Sequence, residues 1–232
     1  MKKLLIITAL FVSSLSHAQN LDEIINKHIA AIGGIENWNK IKSLKMDCSL
    51  KAQGADISIN ISQIDQVAVR QDIDAMGMKG FSIITKTEGW VFMPFQGHTK
   101  PEAMTADDLR NSQDDLNLRD EFITYKELGK KIEYVGKDDI DGLECHKVKM
   151  VDKNGQETTY YIDTESYYVI RQVDKVKANG KEMENTTSFS NFEKLPEGIV
   201  YPMAISSGWG SMDVVKLEIN PKFDDSLFKL PK

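Results

Sequence analysis

Asp72 and Asp74, in the stretch QDIDAMG, are as near as this sequence comes to a pair of catalytic carboxylates. On a strand, residues two apart share a face, and two carboxylates there can divide general acid and base work once their pKa values are driven apart. An acidic hydrolase is the chemistry such a pair would serve. Acidic residues on a wet strand face are the commoner cause of the same spacing. Cys145-His146 joins two metal-binding residue types, but neighbours on a strand point to opposite faces and share an ion poorly. Asp138-Asp139-Ile140-Asp141-Gly142 has the outline of a calcium loop, with Lys137 and Val148 where an EF-hand requires Asp and Glu. It reads as a hairpin turn. Tyr160, Tyr161, Tyr167 and Tyr168 flank Asp163-Thr164-Glu165-Ser166 with no neighbouring base to activate a phenol, and read as aromatic strand residues on either side of a turn.

The G-x-S-x-G, H-E-x-x-H, Walker A and G-x-G-x-x-G patterns do not occur. The expectation is a protein with no catalytic residues, no metal site and no cofactor. Cys48 and Cys145 are the only cysteines. An oxidising compartment would permit a disulfide between them, whereas Cys48 on an apolar strand face suits a free, buried thiol.

That compartment follows from the first residues. MKKLLIITALFVSSLSHA has a basic start, an apolar block too short to span a bilayer and small residues at Ser16 and Ala18, so 1–18 read as a cleaved signal peptide. Cleavage would leave Gln19 first, where a lipid-anchored precursor would need cysteine, so no lipid anchor is expected. Losing Lys2 and Lys3 takes the formal charge from −6 to −8, with 27 basic against 35 acidic residues. Nucleic acid is therefore an unsuitable partner, since binding phosphates requires a basic patch. Residues 19–232 suit one large, mainly β domain that does not span the membrane.

The elements follow from periodicity. Leu21, Ile24, Ile25, Ile29 and Ile32 recur at helical spacing and stop at Gly33-Gly34. SLKMDCSLKA and ISINIS then alternate apolar with polar residues, as strands with one wet face do. FSIITKTEGWVFMPF gives two more strands around a Thr87-Glu88-Gly89 turn. The polar stretch 98–121, with the capping pair Thr105 and Asp108, reads as a helical excursion. Strands resume at KIEYVG and continue to MDVVKLEINPKF, about 11 or 12 in all, at the spacing of an antiparallel sheet or barrel.

This order resembles the periplasmic lipoprotein-carrier superfamily, the LolA/LolB-like proteins. The likeness is carried by IINKHIAAIGGIENWNKIKSLKM, by GKDDIDGLECHKVKMVDKNGQETTYYIDTESYYVIRQ, by NFEKLPEGIVYPMAI and by KLEINPKFDDSLFKLP. It implies an incomplete, strongly curved antiparallel β-barrel with an N-terminal helix and a helical lid over an apolar cavity. It also implies carriage rather than catalysis, in the periplasm: binding of acyl chains of lipoproteins or other lipids, with membrane-bound donor and acceptor proteins as partners. A sensor or envelope-assembly module on the same fold is the alternative. On such a fold the cavity would be lined by Leu44, Met46, Leu50, Ile57, Ile59, Ile61, Val67, Val69, Phe81, Ile83, Trp90 and Phe92. Met104, Leu109, Leu116 and Leu118 would form the underside of the lid, and Arg70 resembles the family's strand arginine that holds the lid in place.

Overall fold

The computed structural model describes residues 20–52, 54–178 and 181–231; the expected leader, 1–18, lies outside them. The chain is mainly β with short helices, as expected. Among the described residues thirteen strands hydrogen-bond in the order β6-β5-β4-β3-β2-β1-β13-β12-β11-β10-β9-β8-β7. The order ends at β6 and β7, so the sheet does not close on itself. The strands are β1 (Ser43–Ala52), β2 (Ala55–Ile64), β3 (Ala68–Ala75), β4 (Met78–Thr85), β5 (Gly89–Phe92), β6 (Glu102–Ala103), β7 (Lys131–Ile140), β8 (Leu143–Val151), β9 (Glu157–Asp163), β10 (Val169–Ala178), β11 (Lys181–Lys194), β12 (Val200–Ser207) and β13 (Gly210–Ile219). Two compact units partition the chain: one runs up to Ile35 and includes Glu121–Phe189, the other combines Glu36–Asp120 with the chain from Ser190 onward.

In the first unit, helix α1 (residues 20–31) buries Ile24 and Ile25 in a core with Phe122, Tyr125, Val148, Met150, Tyr160 and Ile162. Phe122 lies on the short helix Glu121–Thr124, and its ring meets His28 of α1 edge-on at 5.1 Å and Tyr160 of β9 at 5.0 Å. The tyrosine ribbon seats this helix. Tyr160 is buried beneath it, the Tyr167 carbonyl lies 2.7 Å from His28 Nδ1, and Lys27 Nζ donates to the Tyr167 hydroxyl at 3.2 Å. The connecting turn is held by Asp163, whose carboxylate accepts from the Ser166 amide and hydroxyl. Asp141-Gly142 closes the β7–β8 hairpin with both residues at positive φ, and Asp139 accepts from the Gly142 amide. The acidic run there is turn chemistry, and among the described residues no cluster of His, Cys, Asp or Glu is arranged to hold a metal.

A short helix α2 (Ile35–Trp38) starts at the boundary of the two units and leads into β1 of the second, which pairs with β2 on one side and β13 on the other. The polar stretch after β5 holds more than helix: β6 comes first, then helix Ala106–Asn111 and the 3-10 turn Gln113–Leu116. Thr105 caps the helix as its spacing to Asp108 predicts, accepting from the Asp108 amide at 3.1 Å. The chain ends in a 3-10 turn, Asp225–Phe228, packed against β3 and β4.

Cys48 and Cys145 are both buried and free. Burial pushes each thiol up to about 11, with Asp47 adding to the effect at Cys48 and Asp163 at Cys145. Reductant should therefore leave the Tm unchanged, and alkylation of the native protein should be slow. A disulfide closing a loop of about 100 residues would contribute about 4–5 kcal/mol, so a large fall in Tm with reductant would refute the free-thiol state.

Candidate functional site

Residues directly opposite one another in an antiparallel ladder point to the same side, so the register assigns each side chain of β13, β1, β2, β3 and β4 to one of two faces. Met46 is opposite Leu217 and Ile61, Cys48 opposite Val214 and Ile59, and Leu50 opposite Met212 and Ile57. Ile59 is in turn opposite Ile73, Ile57 opposite Ala75, and Val69 opposite Ile84. This face carries no Asp, Glu, Lys, Arg or His on those five strands. The reverse face carries Lys45, Asp47 and Lys51 on β1, Asp56 on β2, Arg70, Asp72 and Asp74 on β3, and Lys216 and Glu218 on β13.

The apolar face has a buried floor of Leu44, Met46, Cys48 and Val214, against which Ile59, Ile61, Leu118, Tyr201, Met203, Met212, Leu217 and Ile219 pack half-buried. Its two ionisable groups are held neutral. Burial pushes the Tyr201 hydroxyl up to about 12, the Cys48 thiol adding to the shift, and Cys48 itself is raised by burial as described above. A surface of this width without charge suits a hydrocarbon chain and offers nothing for acid–base chemistry at neutral pH.

One end of the face is covered. Leu116 is buried with Val69 and Ile84, and Met104, Leu109 and Ile61 pack around them. Gly89 on β5 makes room, because a Cβ there would meet Met104 and Leu109. Polar bonds tie the cover to the strand ends. The Gln66 amide donates to the Leu116 carbonyl at 2.8 Å, the Leu118 amide to Asp65 at 3.1 Å, and Gln63 Nε2 to the Asp115 carbonyl at 2.8 Å. All four residues expected on the underside of the lid thus reach the apolar face of this unit.

The twelve expected lining residues do not all share that face. Leu44, Met46, Leu50, Ile57, Ile59, Ile61 and Val69 do. Val67 sits exposed in the β2–β3 turn. Phe81 and Ile83 lie opposite Asp72 and Arg70, on the reverse face, and bring Phe92 and Trp90 with them through the β4–β5 register. The physical reason is that β4 is buried on both sides: Phe81, Ile83 and Ile84 are all in the core, so its sequence gives no alternation to fix the phase. Tyr201, Met203, Met212, Val214 and Leu217 join the apolar face without having been singled out from the sequence. In β13 an extra residue, Val215, interrupts the register between the partners of Asp47 and Cys48, which conceals the alternation of MDVVKLEI.

Arg70 also belongs to the reverse face. Its Nε and Nη2 donate to the Asp72 carboxylate at 2.6–3.0 Å, its Nη1 donates to the Leu227 carbonyl at 2.9 Å, and its guanidinium lies 5.3 Å from the Phe81 ring centroid. It holds the C-terminal turn rather than the cover. Asp72 is thereby occupied by Arg70, and Asp74 accepts from the Gly77 amide at 3.0 Å, so each carboxylate has a structural partner. A groove of about 420 Å³ on this side places Asp47, Asp56 and Asp74 beside Met76 and Val215.

No protein-family model and no curated protein matches this sequence. Solved structures that share its fold include three that match over nearly their whole length. A LolA superfamily protein from Nitrosomonas europaea is 12% identical, with TM-score 0.60 over 92% of this chain and 98% of its own. A DUF1329 family protein from Desulfovibrio piger is 12% identical, with TM-score 0.57 over 90% and 96%. A structure from Vibrio parahaemolyticus described as an outer membrane lipoprotein-sorting protein domain is 11% identical, with TM-score 0.53 over 89% and 94%. At these identities the likeness is one of fold: the chain has the architecture of LolA superfamily proteins.

Proposed function

We propose that this chain is a soluble periplasmic carrier or binding protein for acyl chains of lipoproteins or a similar lipid, without catalytic activity. The observation that carries the reading is the uncharged, half-buried apolar face of β13, β1, β2 and β3, backed by a densely charged reverse face. Each methylene buried there contributes about 0.8 kcal/mol, so one long acyl chain offers on the order of 10 kcal/mol before ordering costs. The leader-like start of the chain supports the compartment, and no helix among the described residues is long and apolar enough to cross a membrane. Membrane-bound proteins would then serve as donor and acceptor. The fold it shares with a lipoprotein-sorting domain accords with this use.

Access to the face requires Met104, Leu109, Leu116 and Leu118 to lift, and the cover is held at its margins by a few hydrogen bonds. Native mass spectrometry of protein purified gently from the periplasm should show co-purifying lipid, and a fluorescent fatty acid should bind after delipidation. Amides of 104–118 should exchange faster than those of 44–61 in the lipid-free protein and slow when the probe binds. Clean apo protein that takes up no probe would instead assign the chain to the sensor or assembly class, with the face a filled core.

A further inference from the structure

Hairpins β12–β13, β1–β2 and β3–β4 are neighbours in the sheet and meet at the same strand ends: Ser207 and Gly210, Ala52 and Ala55, Ala75 and Met78. Neighbouring strands lie about 4.8 Å apart, so successive hairpins are spaced about 10 Å and the three tips form one row. The tips carry no charge. Ser206 to Met212 and Ala75 to Met78 contain no ionisable side chain, and the nearest charges, Lys51, Asp56, Asp74, Lys79 and Asp213, stand behind the turns.

What the tips do carry is exposed and apolar. Trp209 is 77% exposed, Met76 75% and Met78 39%. Single exposed apolar residues are ordinary on a protein surface; three on two of three uncharged turns in one row are not. Folding does not account for them either. Met76 has φ 55 and Gly77 φ 81, the pair of left-handed conformations that a two-residue hairpin normally fills with Asn-Gly or Asp-Gly. Methionine has no local hydrogen bond to offer there and faces solvent.

We infer that these three hairpin tips are a membrane-docking edge that inserts Trp209, Met76 and Met78 shallowly into a lipid surface. Tryptophan belongs at the headgroup level, and methionine adapts to irregular apolar surroundings. The charges just behind the tips, three Asp and two Lys, set the depth and nearly cancel, which leaves no electrostatic reason to prefer anionic lipid, so the edge suits a zwitterionic surface. The inference deepens the carrier reading and rests on it for its purpose. Directly behind the tips lie Leu50, Ile57, Ala75 and Met212, the last rows of the apolar face, so an acyl chain leaving at this end would pass into the bilayer without crossing a charged rim.

The test is flotation of the purified protein with phosphatidylcholine vesicles, with and without phosphatidylglycerol, and quenching of tryptophan emission by brominated phosphatidylcholine. The protein should float with the neutral vesicles, bind no better when phosphatidylglycerol is added, and lose little binding in high salt. Trp209→Ser should lower the partition coefficient about tenfold and abolish most of the quenching. Val135→Ser, which removes an exposed valine of β7 in the other unit, should change neither. Melting curves should be unchanged in both variants. Fatty-acid probe uptake, measured without vesicles, is read separately. Uptake without flotation overturns the docking edge and leaves the carrier reading standing; flotation that depends on Trp209 without uptake sustains the edge and overturns the carrier. Binding that requires phosphatidylglycerol and survives Trp209→Ser, or a Trp209-dependent dimer without vesicle binding, also overturns the docking edge.

Discussion

Replacing Ile59 with Asp should destabilise the protein by several kcal/mol and abolish uptake of an acyl probe. Ile59 stands mid-strand between Cys48 on β1 and Ile73 on β3, on the face that carries no charge. A carboxylate there loses hydration and finds no cation, because every Lys and Arg of β1–β3 and β13 projects from the other side. Half-burial permits some water to follow the charge, so the loss should stop short of what a sealed core would impose. Ile59→Ala separates the effects, since it removes apolar area without adding charge and should cost about 1–3 kcal/mol while weakening the probe less. Asn60 supplies the control. Its side chain lies between Asp47 and Asp72 on the reverse face, and Asn60→Lys should be neutral or slightly stabilising by pairing with them. Urea titration and probe binding on the three variants check the assignment. An Ile59→Asp protein that folds and binds as the parent does would mean that this face is wet.

The contrast between Ile59 and Asn60 was legible in the sequence because β1 and β2 each have one wet face, and strict alternation follows from that alone. Helix α1 was legible for the analogous reason at helical spacing, and Thr105 announced its helix by its distance from Asp108. Legibility failed wherever the local environment stopped being two-sided. Phe81, Ile83 and Ile84 are all buried, so β4 offers no choice between phases, and reading it in phase with Phe81 selected the reverse face. Val214 and Val215 are chemically identical, yet one is buried and the other is 71% exposed because of a bulge that no composition signals. The docking tips were silent for a different reason. Their exposure depends on three turns, far apart in the chain, arriving side by side, and only strand order brings them together.

Arg70 bonds to Asp72 and to the C-terminal turn, and Arg70→Met should show what those bonds hold in place. Methionine keeps apolar volume beside Phe81 but cannot donate to Asp72 or to the Leu227 carbonyl. The arginine side chain is 13% exposed whereas Asp72 is 42% exposed, so the aspartate regains water when its partner is lost, and the ion pair is worth less than a sealed one. The bond to Leu227 is different, because it fastens a terminal segment that otherwise relies on burial of Phe228 and the edge-on contact of Phe228 with Phe223 at 5.6 Å. Together these set the expected loss at about 1–3 kcal/mol, concentrated in the C-terminal turn. Hydrogen exchange should therefore rise at 226–229 and stay level at 104–118, while acyl-probe uptake remains at the parent value, because Arg70 and the cover stand on opposite faces of β3. If exchange rises instead over 104–118 and probe affinity changes with it, Arg70 is coupled to the cover through the strand itself, and the lid-holding role implied by the family resemblance would be restored by a route other than direct contact.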